Sequence, residues 1–170
     1  MADNKRRTAR GYAEAIVRRL EEQNETVTFA ESCTGGLVAA TLVSIAGASH
    51  VFREGYLTYC DDSKHRLLGV SSETLQKYTA VSRQTAREMA LGAKARAGSD
   101  YSIAVTGYAD GELENGGHHV IVACAGPDAA AEVNFCEGWY TGDRNAVRRK
   151  ATYQALKLLW KKVAGNDEMV

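Results

Sequence analysis

The sequence predicts an α/β protein, a three-layer α/β/α sandwich built around a mixed sheet of about five strands. Helical and strand patterns alternate through the early part of the 170 residues, which is typical of parallel βαβ units. Two strand patterns then follow one another late in the chain across a short turn, which is typical of an antiparallel hairpin. A chain of this length suits one domain, so we expect residues 1–170 to form a single domain.

The first half of the chain begins with a helical pattern, predicted over residues 11–23. The β-branched and aromatic run 26–30 predicts a strand. After two glycines, the apolar run 37–45 predicts a buried helix that ends at the turn 46–49. Three more elements are predicted in this half: a strand over 51–59 and short helices over 62–68 and 72–77.

The second half begins with a helix for which Ser82 is a plausible N-cap, because its hydroxyl can accept from an amide of the first turn. A final helix is predicted to start near Asp143 and to bury Val147, Ala151, Ala155, Leu158 and Leu159. Between these helices, strands are predicted over 101–106, 119–125 and 131–137, with the hairpin turn at Gly126, Pro127, Asp128 and Ala129.

Composition excludes several classes of function. Lys plus Arg (21) balance Asp plus Glu (21), whereas nucleic-acid-binding proteins usually carry a basic excess, so no nucleic-acid partner is expected. No apolar run approaches the ~20 residues that a membrane helix needs. The cysteines have no zinc-ligand spacing, which indicates reduced thiols in a cytoplasmic protein and no metal site.

The segment from Ala30 to Gly36, with the sequence AESCTGG, is the most informative part of the chain. It joins a strand to a helix, where unpaired backbone N–H groups lie at the positive end of a helix dipole. Gly35 and Gly36 allow a ligand to approach the backbone closely. Such a junction can bind a phosphate, stabilise an oxyanion, or simply form a tight turn that Ser32 caps.

Lys64 is a candidate base for Ser32, because a serine hydroxyl is a poor nucleophile until a base takes its proton. A lysine can do so if burial or nearby cations keep its amine neutral. The loops after parallel strands share one edge of a sheet, so Lys64 and the pair Thr106-Gly107 are expected near Ser32.

The sequence gives less support for a functional role of the other candidate residues. Cys33 lies at the helix start but has no assignable base, and His118-His119 is a poor chelating pair because neighbouring strand residues point to opposite faces. Three arginines begin the last helix, where each can bind a phosphate or carboxylate or remain a solvated charge: Arg144, Arg148 and Arg149.

Five motifs in order resemble the CinA C-terminal domain family, which includes the stand-alone nicotinamide mononucleotide amidases. The resemblance runs from about residue 10 to residue 163 of the chain. The motifs are TFAESCTGG at 28–36, IAGAS at 45–49, YLTY at 56–59 with SK at 63–64 and LGV at 68–70, YTAVS at 78–82, and GDRNAVR at 142–148.

The resemblance implies hydrolysis of the carboxamide of a small nucleotide, nicotinamide mononucleotide, with no metal or other cofactor and in a homo-oligomer. It implies Ser32 as the nucleophile, Lys64 as the base, and Tyr59 as a pocket residue of the catalytic set. The substrate-binding residues that it implies are Thr34, Gly35, Gly36, Thr106, Gly107 and Arg144.

The loop at residues 107–119 departs from the family pattern. The family usually has a glycine-rich loop with a proline, whereas this chain carries Asp110, Glu112 and Glu114 there. Carboxylates near a substrate phosphate would repel it. Three functions therefore stay open: the amidase, an inactive or altered-substrate paralogue that binds nucleotides, and a structural subunit of a larger assembly.

Overall fold

A mixed sheet organises the chain, which the computed structural model describes over residues 8–111, 115–128 and 132–165. Five strands form in these residues: β1 (Val27–Glu31), β2 (Phe52–Leu57), β3 (Tyr101–Gly107), β4 (His118–Ala125) and β5 (Val133–Tyr140). Their order across the sheet is β2-β1-β3-β4-β5. The first three strands are mutually parallel, and the late pair adds antiparallel to them, which confirms the predicted α/β class.

Helices cover both faces of the sheet. The described residues form seven: α1 (Ala9–Gln23), α2 (Leu37–Val43), α3 (Ala48–Val51), α4 (Asp61–Leu68), α5 (Ser72–Tyr78), α6 (Arg83–Ala97) and α7 (Arg144–Ala164). Helices α1, α2, α3 and α7 pack together on one face, and α6 covers the other face with α4 and α5 against it. This arrangement is the predicted three-layer sandwich.

The two cores follow from the alternation of side chains along the strands. Phe29 and Ile103 point into the core beneath α1 and α7, whereas their neighbours Ala30 and Ala104 point towards α6. Alanines dominate the α6 side, where small side chains let the helix lie close to the sheet.

Close packing also fixes α4, the helix that carries Lys64. Gly92 of α6 faces the last turn of α4, and a Cβ atom there would lie 1.8 Å from the Leu68 carbonyl oxygen. Only glycine leaves space for that approach. The two helices therefore touch backbone to backbone, which fixes where α4 lies relative to the sheet.

Several predicted bounds differ from the structure. The helix predicted over 37–45 ends at Val43 and buries only Val38 and Leu42. Residues 48–51 form the short helix α3 instead of a turn and an early strand, since Gly47 has a left-handed φ of 86° that starts a new helix. Strand β5 lies two to three residues later than predicted.

The ends of the longer helices match their sequence signals. Ser82 caps α6 by accepting from the Thr85 amide, and Asp143 caps α7 by accepting from the Ala146 amide. Along α7, Leu156 is buried and Leu158 only half-buried, in contrast to the prediction. The hairpin pairing of β4 with β5 is confirmed, while Ala129 of its turn lies outside the described residues. None of the described helices has the length and apolar character that a bilayer crossing requires.

Candidate active site

The turn that follows β1, residues 32–36, presents Ser32 at the C-terminal edge of the parallel strands. The Ser32 amide donates to the Val105 carbonyl at 3.0 Å, which ties the turn to β3. Gly35 and Gly36 have φ values of 61° and 90°, in the left-handed region that glycine tolerates. We call residues 32–36 the serine turn.

Lys64 lies directly beside the Ser32 hydroxyl. Helix α4 begins at Asp61, and its N-cap Cys60 and Ser63 form a reciprocal capping box that fixes the first turn. Lys64 follows in the same turn with only 1% of its surface exposed. Its Nζ lies 3.2 Å from Ser32 Oγ and donates to the Thr58 carbonyl at 2.9 Å.

Burial controls the protonation of this amine. Removal from water lowers the pKa of Lys64 below its ordinary value, while the smaller opposing effect of Asp61 raises it. Among the described residues, the hydrogen-bond partners of Nζ are two neutral oxygens, and no carboxylate is paired to it. A neutral amine in this position can accept the Ser32 proton, which is the chemistry that a nucleophilic serine needs.

The start of α2 differs from the expected open anion site, because a carboxylate of the chain already occupies it. Glu31 is buried and accepts from the amides of Val38 and Ala39, at 3.1 and 2.8 Å. Within the described ranges, the N–H groups of Thr34 and Gly36 donate to no acceptor. The donors available to a ligand therefore belong to the serine turn and not to the helix itself.

Arg148 of α7 fixes the shape of the serine turn. Its Nε and Nη2 both donate to the Thr34 carbonyl oxygen, at 3.2 and 2.8 Å. A Cβ atom at Gly35 would lie 3.3 Å from Arg148 Nη2 and would push the guanidinium aside by a few tenths of an ångström, and the φ of 61° also favours glycine there. The orientation of the Thr34–Gly35 peptide is thus held by a charged, bidentate contact.

The remaining predicted pocket residues divide into those that face solvent and those that do not. Tyr59 is 58% exposed, and its hydroxyl accepts from Arg144. Thr106 is buried, with its hydroxyl donating to the Ala80 carbonyl at 2.7 Å, so that group is already engaged. Gly107 leaves no space for a Cβ atom, which would lie 2.8 Å from the His119 carbonyl oxygen.

The surroundings of two other candidates, Cys33 and His119, favour structural roles for them. Burial raises the pKa of the Cys33 thiol to about 12, which keeps it protonated and unreactive. His119 stacks on Trp139 with ring centroids 4.5 Å apart, and its Nε2 lies 2.7 Å from Glu137 Oε1. Within the described ranges, no group of three His, Cys, Asp or Glu side chains could hold a metal ion.

Comparison with known proteins identifies the family. The model of the CinA C-terminal domain matches residues 9–163. This chain belongs to the CinA C-terminal domain family. The solved structure of the competence damage-inducible protein A from Klebsiella pneumoniae superimposes with a TM-score of 0.86 at 32% identity, covering 94% of this chain and 99% of that one.

Relatives of this CinA-family chain occur in two lengths. The nicotinamide-nucleotide amidohydrolase PncC of Escherichia coli K12 is 40% identical over 157 residues, covering 91% of this chain and 94% of that protein. The CinA-like protein of Petrotoga mobilis is 42% identical over 136 residues. Those residues are 80% of this chain but 34% of the Petrotoga protein, so this chain spans about a third of that relative.

The loop that departs from the CinA family pattern places Asp110 at the site. Arg144 Nη1 donates to the Asp110 carboxylate, and Nη2 donates to the Tyr59 hydroxyl. Glu112 and Glu114, the other acidic residues of the loop, lie outside the described residues. The arginine for which a phosphate contact was predicted therefore has an internal carboxylate as its partner.

Sequence reasoning missed two contributors to this CinA-family site. Glu31 lies seven residues before Val38, which is not the spacing of a capping box, so no local pattern indicated its contact with α2. Thr58 supplies a carbonyl oxygen, which any residue type could provide. Arg148 was a candidate among three arginines, but its contact with Thr34 spans 114 positions and has no sequence signal.

Proposed function

We propose that this chain is an amidohydrolase that converts nicotinamide mononucleotide to nicotinic acid mononucleotide and ammonia, acting as a single domain. One observation carries the proposal: the buried Lys64 amine lies 3.2 Å from the Ser32 hydroxyl oxygen. The Escherichia coli relative, and others with a comparable sequence identity to this chain, bear the name nicotinamide-nucleotide amidohydrolase, which supports the choice of substrate.

Acylation begins with the neutral Lys64 amine taking the Ser32 proton as Oγ attacks the carboxamide carbon. The resulting oxyanion accepts hydrogen bonds from the free amides of the serine turn, Thr34 and Gly36. The C–N bond then breaks, and the protonated Lys64 returns a proton to the leaving nitrogen. Ammonia departs, and the nicotinoyl group stays on Ser32 as an ester.

Deacylation reverses the roles with water as the nucleophile. Lys64, neutral again, takes a proton from a water molecule as its oxygen attacks the ester carbon. The Ser32 oxygen leaves and recovers its proton from Lys64, which releases the carboxylic acid product. Neither step uses a metal or another cofactor.

The rest of the site is proposed to bind the nucleotide. Gly36, where a Cβ atom would have no neighbour within 4 Å, leaves the turn open to the amide group, while the exposed Tyr59 and Arg144 lie towards solvent, where the phosphate is expected. Thr106 and Gly107 form the wall at the end of β3. We further expect the active form to be a homo-oligomer, as the family resemblance implies.

A second function, binding of a nucleotide without turnover, is favoured by one observation. The Asp110 carboxylate contacts Arg144, the residue proposed to meet the phosphate. A paralogue that had lost or changed its substrate could carry such a contact.

The proposal is tested by incubating the purified chain with nicotinamide mononucleotide and measuring both ammonia and nicotinic acid mononucleotide. We expect equal amounts of the two products. Binding measured by calorimetry without release of ammonia would support the nucleotide-binding function instead. Absence of both binding and turnover in folded protein would exclude both functions.

Arg148→Lys is expected to lower kcat while changing KM little. Lysine keeps the charge but loses the two-pronged contact with the Thr34 carbonyl, so the oxyanion donors of the serine turn are misaligned. Misplacement on this scale costs about 10- to 100-fold in rate. Steady-state kinetics measure the effects on kcat and on KM separately. Arg149→Lys is the control, because Arg149 is exposed and next in sequence. An equal fall of kcat in both variants, or a change confined to KM, would contradict this role.

A further inference from the structure

Asp110 joins three parts of the fold around the mouth of the site. Its carboxylate accepts from Arg144, which begins α7, and the same guanidinium donates to Tyr59, which follows β2. Asp110 itself lies three residues beyond the end of β3. Residues four apart on a helix share a face, so Arg144 lies beside Arg148 and hence beside the serine turn.

Three basic side chains lie at this site within the described residues, and two of them already have partners in the serine turn. Lys64 is buried against Ser32. Arg148 donates to Thr34 through Nε and Nη2 and to Asn145 through Nη1. Arg144 is 44% exposed, so it is the cation that an anionic ligand group entering from solvent can reach.

A guanidinium fork binds a carboxylate and a phosphate through the same N–H groups. Asp110 therefore occupies a donor of Arg144 that a phosphate would use, and its negative charge repels a phosphate that approaches. A substrate that lacks a phosphate does not use the Arg144 donors, so Asp110 does not compete with it.

We propose that Asp110 is a specificity-determining residue: it competes with the substrate phosphate for Arg144 and so reduces the preference of this site for nucleotides over the corresponding nucleosides. This inference rests on the proposed amidohydrolase function. The chain accordingly discriminates less between pyridine nucleotides and their dephosphorylated nucleosides than it would with an uncharged residue at position 110.

The competition is weak enough for a phosphate to win. Asp110 is 69% exposed and its ion pair with Arg144 is solvated, and such pairs contribute little. A phosphate carries more charge than one carboxylate and can displace it. Removing the charge of Asp110 is therefore expected to improve nucleotide binding by about three- to tenfold at low ionic strength, and by less as salt screens the site.

The test compares nicotinamide mononucleotide with nicotinamide riboside in the wild type, in Asp110→Asn and in Asp128→Asn. Asp128 is an exposed aspartate after β4, at the opposite end of the sheet, so the control makes the same charge change away from the site. We expect Asp110→Asn to raise the mononucleotide-to-riboside ratio of kcat/KM about three- to tenfold, through KM for the mononucleotide. The ratio in Asp128→Asn is expected to match the wild type. An unchanged ratio in Asp110→Asn, or an equal change in both variants, would overturn the inference.

A binding experiment separates this inference from the amidohydrolase proposal. Ser32→Ala and Ser32→Ala/Asp110→Asn are titrated calorimetrically with nicotinamide mononucleotide, since binding then needs no turnover. Tighter binding by the double variant, with no ammonia from the wild type, would sustain the role of Asp110 in phosphate binding and overturn the amidase. Turnover by the wild type with equal binding by both variants would overturn the role of Asp110 alone. No turnover and equal binding would overturn both.

Discussion

Ser32→Ala is expected to reduce kcat for nicotinamide mononucleotide by roughly 10³-fold or more, because the acyl-enzyme route then has no nucleophile. The loss is chemical and not structural. Ser32 contributes one hydroxyl, and the backbone contacts of the serine turn, from the Ser32 amide to Val105 and from Gly35 to the Ser32 carbonyl, do not involve its side chain. The variant should therefore bind the mononucleotide with near wild-type affinity in a calorimetric titration.

A matched control and a direct look at the intermediate make this result decisive. Ser44→Ala removes an exposed serine at the end of α2 and should retain full activity. Intact mass spectrometry during turnover should detect a nicotinoyl-mononucleotide ester on the wild type and none on Ser32→Ala. Retention of more than about a tenth of the wild-type rate by Ser32→Ala would argue for direct attack by water, with Ser32 reduced to a binding role.

The meeting of Ser32 with Lys64 could be predicted because it depends on topology. Parallel strands deliver the loops at their C-terminal ends to one edge of the sheet, and both residues follow strands predicted from local pattern. The helix caps Ser82 and Asp143 were predictable for a similar reason, since a cap acts within three residues. Local and topological signals thus locate the candidate site before any side-chain contact is known.

The contacts that tune the site could not be predicted, because they join distant parts of the chain through side chains. The Arg148 fork on Thr34 depends on how α7 packs over α2, and the Asp110 contact with Arg144 depends on the path of a loop. The same limit applies to Glu31, whose carboxylate caps α2 by reaching amides seven and eight residues along the chain. Residue type indicates what a side chain can do, and tertiary packing decides which partner it meets.

Lys64→Met is expected to lower kcat by roughly 10²- to 10⁴-fold, the range that a general base contributes, while leaving the fold intact. Methionine is also long and unbranched, so it fills the volume of the buried side chain. The variant loses hydrogen bonds to Ser32 Oγ and the Thr58 carbonyl, which costs about 1 kcal/mol each. It also removes the cost of burying an amine that is protonated in the unfolded chain and must lose its proton on folding, which offsets part of that loss, so the free energy of unfolding should stay within about 2 kcal/mol of the wild type.

The pH dependence of stability distinguishes a Lys64 that acts as the base from a Lys64 with a purely structural role. The pKa of Lys64 is lowered in the folded state by burial, so between that pKa and the ordinary value of about 10.4 the unfolded chain binds the extra proton. The contribution of Lys64 to the free energy of unfolding therefore rises with pH through this window, and Lys64→Met lacks this rise.

In urea unfolding at a series of pH values, the wild type should gain stability relative to Lys64→Met as pH increases. The kcat of the wild type should rise as the Lys64 amine deprotonates. Lys77→Met, the same change at an exposed lysine of α5, should keep the wild-type pH dependence of both stability and kcat. A stability difference independent of pH, together with a wild-type rate that falls as pH rises through neutrality, would mean that the amine is charged in the folded protein and cannot act as the base.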